Sequence, residues 1–375
     1  MRFLHTADWH IGKKLNGFDL LLEQADALDQ ILALAVKEQV TAVVVAGDLY
    51  DRGVPAIDAV QLFNKKIIAF NLQNKLPLLT ISGNHDSSER LNFGTPWFSQ
   101  TAFHLHTELT QAFQPIVIED TQFFLLPYFE PFQARLYFED ESIKTLAKAM
   151  ERVIAAMTAR FDPQKKHVLV AHFFAAGSSQ SDSETKIMVG GLDSVPVDLL
   201  AVFDYVALGH LHNHQALKHP FVQYSGAPLK YAVSEEKQTK GVYIVDTQDF
   251  SRIFYPLKPL HDVRTLTASY EELLVPEFYQ SIPREDFLQI QLTNRGVIPN
   301  LMNQLRNIYP RLLGIERLNQ VQRENQLEKV KKRADVPAEI VTEFFAEMTS
   351  ETLTTSQEDW LAKGLQATSK QVEKL

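Results

Sequence analysis

The chain has 375 residues, 45% hydrophobic and 22% charged, with 37 Lys+Arg against 46 Asp+Glu and a formal net charge of -9. That length accommodates two or three domains with a large buried core, and the ordinary composition excludes a fibrous repeat and a disordered chain. Cysteine is absent, which excludes disulfides, thiolate zinc sites, iron–sulfur clusters and a Cys nucleophile, so any metal must be held by imidazole, carboxylate or amide.

No run of about 18 apolar residues occurs, and the start lacks the basic head and long apolar body of a secretory signal. A cytoplasmic location without a membrane span is therefore expected. The negative net charge argues against a nucleic-acid partner unless a site overrides it.

Residues 1–246 alternate short apolar runs with amphipathic helical stretches, the pattern of a layered α/β domain. Strands are predicted at Arg2–Thr6, Ala42–Ala46, Leu78–Ile81, 123–127, 167–171, 205–208 and Gly241–Asp246. Several are near-continuous apolar runs, as expected of strands covered on both faces. Between the first two, Leu21, Leu28, Leu32 and Ala35 share one helical face. After the Pro-containing segment 255–261 the composition changes. Leu288, Ile290 and Leu292 alternate with Gln289 and Gln291, which predicts a half-exposed strand. Leu301, Leu305 and Ile308 then give a helix stripe and residues 312–316 a further strand, together a small second domain. Residues 319–335 are polar, with Lys329, Lys331, Lys332 and Arg333 clustered, and read as a linker. Beyond it Ile340, Val341, Phe344, Phe345 and Met348 form one apolar helix stripe, and Trp360, Leu361 and Leu365 another. Two short amphipathic helices cannot bury their own faces, so they are expected to bind a partner; docking onto the body is the plain alternative.

Five polar motifs each follow a predicted strand: Asp8-Trp9-His10, Gly47-Asp48 with Asp51, Gly83-Asn84-His85-Asp86, His172, and Gly209-His210-Leu211-His212. Each alone reads equally as a turn, a cap or a hairpin. Their joint occurrence at strand ends, where loops of open α/β sheets converge, points to a site. The set supplies Asp8, His10, Asp48, Asn84, His172, His210 and His212, donors suited to manganese, iron or zinc. Seven ligands exceed the needs of one ion. Two ions need a shared ligand, and Asp48 is the natural bridging carboxylate. Ion pairs of this kind clamp attacking and leaving oxygens, and phosphate ester hydrolysis is the chemistry that most needs them. His85, beside Asn84, is the candidate general acid or transition-state stabiliser, its tautomer fixed by Asp86 or another carboxylate. Asp51 and Arg52 are expected to support the ligands and to contact phosphate.

These motifs, in this order, resemble the calcineurin-like metallophosphoesterases. The longer stretches 5–12, 83–91, 189–196 and 207–212 are similar to the SbcD family, the bacterial Mre11-type nuclease subunits. The resemblance implies a layered β-sandwich flanked by helices over 1–260, a small α+β capping domain for DNA recognition over 261–318, a linker over 319–336 and a C-terminal helical tail over 337–375 that binds an ATPase. It implies two manganese ions, replaceable by other divalent metals: one on Asp8, His10, Asp48 and His212, the other on Asp48, Asn84, His172 and His210. His85 would assist departure of the sugar oxygen. The implied activity is a 3′ to 5′ double-strand DNA exonuclease and a single-strand endonuclease that opens hairpins, serving DNA repair and recombination. The implied partners are DNA, an SbcC or Rad50-like ATPase, and a second copy in a homodimer within a heterotetramer, associated with the nucleoid. No G-x-x-x-x-G-K-[ST] phosphate loop occurs, so ATP dependence must come from another polypeptide. Lys13, Lys14, Arg52, Arg90 and Lys186 are local basic groups for DNA. Two alternatives stay open: a protein or small-molecule phosphoesterase of the same superfamily, and a catalytically inert scaffold.

Overall fold

The structure, a computed structural model, describes residues 1–179, 184, 194–294, 296, 298–318, 341–342, 344–346 and 352–372. The expected linker, Ile340, Met348, Lys186 and residues 189–193 lie outside the described residues. Contacts divide the chain into two units. The first is Met1–Thr265 with Pro283–Gln289 and Tyr309–Gly314; the second is Leu266–Ile282 with Ile290–Ile308 and Ile315–Leu375.

The first unit is built on two sheets. Strand β1 (Arg2–Thr6) is followed by a two-stranded ribbon, β2 (Lys14–Leu15) and β3 (Phe18–Asp19), and then by helix α1 (Leu21–Lys37). Strand β4 (Ala42–Ala46), helix α2 (Ile57–Ile67), β5 (Leu78–Ile81) and β6 (Phe103–His106) come next. The remaining strands are β7 (Ile116–Ile118), β8 (Thr121–Leu126), β9 (Lys166–His172), β10 (Tyr205–Gly209), β11 (Val222–Tyr224), β12 (Gly241–Asp246) and β13 (Arg252–Pro256). One sheet runs β13-β12-β1-β4-β5-β6 and the other β11-β10-β9-β8-β7. Every predicted strand of this unit is present to within two residues of its expected bounds.

The near-continuous apolar strands are explained by three buried layers. Side chains alternate across each strand. Phe3, Val44, Leu79 and Ile81 therefore meet Phe123, Leu125, Val168 and Ala207 between the sheets. Their sequence neighbours Leu4, Val43, Val45 and Leu78 point outward onto Leu28, Ile31 and Ala35 of α1 and Phe63 of α2. The outer face of the other sheet, with Phe124, Leu169 and Val206, is covered by Met150, Val153 and Met157 of the helix Leu146–Thr158.

Strands β1, β4, β5 and β6 are mutually parallel, as are β8, β9, β10 and β11. The loops after β1, β4 and β5 consequently leave one sheet at the same end, and Gly209 pairs with His172 in the other.

Strands Val263–Ala268, Phe287–Leu292 and Leu312–Arg317 form a three-stranded sheet with Phe287–Leu292 in the middle. The half-exposed strand expected there is corrected: Gln289 is 6% exposed. Gly314 makes the room, since a Cβ there would lie 2.9 Å from the Gln289 Oε1. The second unit carries helix Leu301–Arg306 and helix Thr355–Val372, matching the stripes at Leu301 and Trp360. Among the described residues no helix is long and apolar enough to cross a membrane.

Candidate metal centre

Asp8 and His10 follow β1, Asp48 follows β4, Asn84 and His85 follow β5, His172 ends β9, and His210 and His212 follow β10. All are buried except Asn84 and His85, which are half-buried. The backbone is left-handed at Asp8 (φ 54°), His10 (φ 43°), Asp48 (φ 52°) and His210 (φ 93°). Asp and His tolerate this region better than bulky residues, but each instance is strained. Backbone bonds from Asp8 N to Gly47 O (3.0 Å) and from His10 N to Asp48 O (2.9 Å) tie the first two loops together.

The side chains converge in two groups joined by one atom. His10 Nε2 and His212 Nε2 lie 3.1 Å apart. Asn84 Oδ1 is 3.0 Å from His172 Nε2 and 3.1 Å from His210 Nδ1. Asp48 Oδ2 stands 3.4 Å from His10 Nε2 and 3.3 Å from His172 Nε2. Two donors at about 2.1 Å from one ion have this spacing, so the His10 and His212 nitrogens are placed to share a cation as readily as a hydrogen.

Of the seven buried side-chain atoms without a hydrogen-bond partner among the described residues, three belong to this set: Asp8 Oδ2, His10 Nδ1 and His210 Nε2. Leaving such groups unsatisfied is costly, and clustered cases mark a binding site for an ion or a catalytic role. Electrostatics agree. Burial pushes Asp8 up to about 7, against the pull of His172 and His212. Burial alone would raise Asp48 as well, but the charge of His172 and its hydrogen bond to the carboxylate hold it well below the usual carboxylate range. Burial lowers His172, yet Asp48 outweighs it and brings the imidazole up to about 9. Burial keeps His10 well below its ordinary value and takes His210 down to about 3, leaving neutral rings with a lone pair to offer. Hard oxygen and borderline nitrogen donors on both sides of a shared carboxylate fit a pair of divalent first-row ions.

His85 lies at the rim. Its backbone N–H donates to Asp48 Oδ1 (2.9 Å), and its ring packs edge-on to His10 with centroids 4.7 Å apart. The expectation that a carboxylate fixes its tautomer is corrected: Nδ1 meets the Asp51 carbonyl oxygen at 2.9 Å. Asp86 instead accepts backbone N–H groups of Leu49, Tyr50 and Gly83 (3.0, 3.0 and 2.9 Å), stapling the β4 loop to the β5 loop. Asp51 takes Lys13 Nζ at 2.8 Å, so Lys13 supports the site rather than standing open, whereas the Arg52 side chain is 84% exposed. Trp9 and Phe173 are buried packing residues.

A family profile described as Calcineurin-like phosphoesterase matches residues 1–214, more than half the chain. The chain belongs to the calcineurin-like phosphoesterases. A second profile, described as Type 5 capsule protein repressor C-terminal domain, matches residues 259–349. The SbcD subunit of the SbcCD nuclease from Staphylococcus epidermidis is 35% identical over 363 residues, 96% of this chain and 96% of that protein. Its counterpart in the SbcCD nuclease from Staphylococcus saprophyticus is 35% identical over 371 residues, 97% of each. Within the phosphoesterases, the chain therefore falls among the SbcD nuclease subunits. The crystal structure of TT1561 of Thermus thermophilus is 12% identical with a TM-score of 0.41, covering 68% of this chain and 99% of that one.

The phosphoesterase motifs do not include the groups that hold the ligands in place. Gln24 Nε2 donates to His10 O (2.7 Å), and the Tyr231 hydroxyl donates to Trp9 O, securing the strained Asp8–His10 turn. Glu184 Oε1 accepts from His212 N (2.7 Å), and Glu235 Oε1 lies 3.3 Å from His212 Nδ1. Burial would raise Glu235, but the hydrogen bond from His212 and the charge of Lys240 hold it well below the carboxylate range. Gln24, Glu184, Tyr231 and Glu235 carry no sequence signal of this role, because burial cannot be read from one residue.

Proposed function

We propose that this SbcD-family chain hydrolyses DNA phosphodiesters at a two-manganese centre, as a 3′ to 5′ double-strand exonuclease and hairpin-opening endonuclease. One ion would sit on Asp8, His10, Asp48 and His212, the other on Asp48, Asn84, His172 and His210. The observation that carries this reading is the single Asp48 oxygen held 3.4 Å from His10 and 3.3 Å from His172, between two complete donor groups. When bound, such an ion pair supplies Lewis-acid stabilisation of the phosphate and lowers the pKa of an attacking water.

His85 moves the proton. A carbonyl oxygen only accepts, so the Asp51 carbonyl fixes a hydrogen on Nδ1, and the transferable proton is the one on Nε2. With Nδ1 so held, Nε2 is the ring atom that would pass a proton to the departing sugar oxygen. Residues 261–318 would cap the DNA, and 337–375, after the linker 319–336, would bind an SbcC-type ATPase in a heterotetramer with two nuclease subunits at the nucleoid. The name of the Staphylococcus relatives supports that partner, and the exposed side chains of Val341, Phe344 and Trp360 offer it an apolar surface. The deciding experiment incubates the purified chain with hairpin DNA and manganese, with and without chelator. Chelator-sensitive opening is expected; phosphopeptide hydrolysis without DNA cleavage would overturn the nuclease reading.

A further inference from the structure

His212 presents two ring nitrogens to two different environments. Nε2 faces His10 Nε2 at 3.1 Å, and Nδ1 faces Glu235 Oε1 at 3.3 Å. Glu235 is fully buried, and its other oxygen, Oε2, accepts from Tyr231 N (3.0 Å) and Lys240 Nζ (2.8 Å). The buried Lys240 ammonium has three N–H groups and three partners: Glu235, the His212 carbonyl oxygen (2.8 Å) and Gln238 Oε1 (2.8 Å). Neither member of this pair can rotate without leaving a buried charge unpaired. A carboxylate only accepts, so the hydrogen between Glu235 and His212 belongs to Nδ1, and the Nε2 lone pair is turned toward the other donors.

We propose that Glu235 is a positioning residue that sets the tautomer of His212, with Lys240 fixing Glu235. The role rests on the two-metal reading. The substitution E235Q tests it sharply. Tyr231 N–H and Lys240 both point donors at the Oε2 position, so the amide oxygen must stay there. The NH2 group then occupies the Oε1 position and donates to His212 Nδ1, moving the ring hydrogen to Nε2, into the site.

Histidine-selective nitrogen NMR on the metal-free full chain should show His212 as Nδ1–H in the parent and Nε2–H in E235Q. Manganese titration should show one of the two ions weakened about 10- to 100-fold, the usual scale for losing such a support, and the other unaltered. Should E235Q not fold, the uncharged pair E235L/K240M keeps the volume without the charges, and His212 should lose its tautomer preference. An Nδ1–H His212 persisting in either variant, or unchanged manganese affinity in E235Q, overturns the proposal. A parent chain that binds no manganese, with the tautomer switch intact, upholds the positioning and overturns the metal centre instead.

Discussion

Replacing Gly83 by Ala isolates the contact between the β4 and β5 loops. A Cβ on Gly83 would fall 2.2 Å from Asp48 Oδ1 and 2.4 Å from Asp48 N, where ordinary contact begins at 3.4 Å. Neither side can yield locally. Asp48 Oδ1 accepts from His85 N at 2.9 Å, its Oδ2 sits between His10 and His172, and its backbone is already left-handed. Gly83 is held from behind by its own N–H, which donates to Asp86 Oδ2 at 2.9 Å. The two loops must therefore part by about 1 Å, and overpacking of this sort costs about 1–3 kcal/mol. A shift of about 1 Å in a reacting constellation is worth on the order of 10²-fold in rate. Urea unfolding, manganese titration and hairpin cleavage measure the three consequences. Gly53→Ala is the control: its Cβ would come no closer than 3.6 Å to any neighbour, at Ser87 Cβ, an ordinary contact, and should stay within about 0.5 kcal/mol of the parent. A Gly83→Ala protein with parental manganese affinity and turnover would refute the idea that the loops are locked around Asp48.

His85→Gln should reduce cleavage by roughly 10² to 10⁴-fold with manganese affinity retained, because it removes a proton donor and no ligand; parental turnover would take His85 out of the mechanism. His5 is buried against Leu208 O and the Tyr205 hydroxyl, 3.2 Å from each, and burial lowers it from 6.5 to about 3. Between those values the unfolded chain binds a proton that the native chain refuses, so stability should fall as pH drops from 6.5 toward 3, by on the order of 5 kcal/mol in full. Urea unfolding at about pH 7 and about pH 4 should show a shallower loss for His5→Gln than for the parent, and equal losses would discard the argument. Deleting residues 337–375 should abolish stable association with the ATPase while sparing manganese-dependent cleavage of single strands, and a co-purifying ATPase after the deletion would refute the role given to the tail.

The first unit was legible because its core strands are unusually plain. Ala42–Ala46 is five consecutive apolar residues, buried on both faces as that pattern implies. Each polar motif stands at the end of such a strand, so the strands could be found by hydrophobicity and the donors by what interrupts it. The short strands β6, β7, β11 and β13 carry polar or half-exposed positions and gave no comparable signal. One missed element was readable. Asn16-Gly17, with φ of 47° and 91°, turns the β2–β3 ribbon, and Asn-Gly is the strongest short hairpin signal. Other features had no local sign. The group facing His85 Nδ1 is a backbone carbonyl, which any residue supplies. Glu235 belongs to Ser234-Glu235-Glu236-Lys237, which reads as a solvated turn; its burial depends on Tyr231, Lys240 and His212 arriving from elsewhere.

The left-handed residues explain why these motifs sit where they do. Of the twelve non-glycine residues with positive φ among the described residues, four are proposed metal ligands: Asp8, His10, Asp48 and His210. Each costs about 1–2 kcal/mol relative to a relaxed backbone. Glycine would remove the strain at every one of them and would also remove the donor atom. Strain of this size persists only where the surroundings over-determine it. The surroundings here are parallel strands with fixed register: Phe3 opposite Ala42, Val43 opposite Leu78, Gly209 opposite His172. Slipping any of these by one residue would exchange the inner and outer faces of a strand buried on both. The apolar layers therefore hold the turns after β1, β4 and β10 in conformations those turns would not adopt alone, and those conformations bring seven proposed ligands, spread over two hundred residues of sequence, to one place.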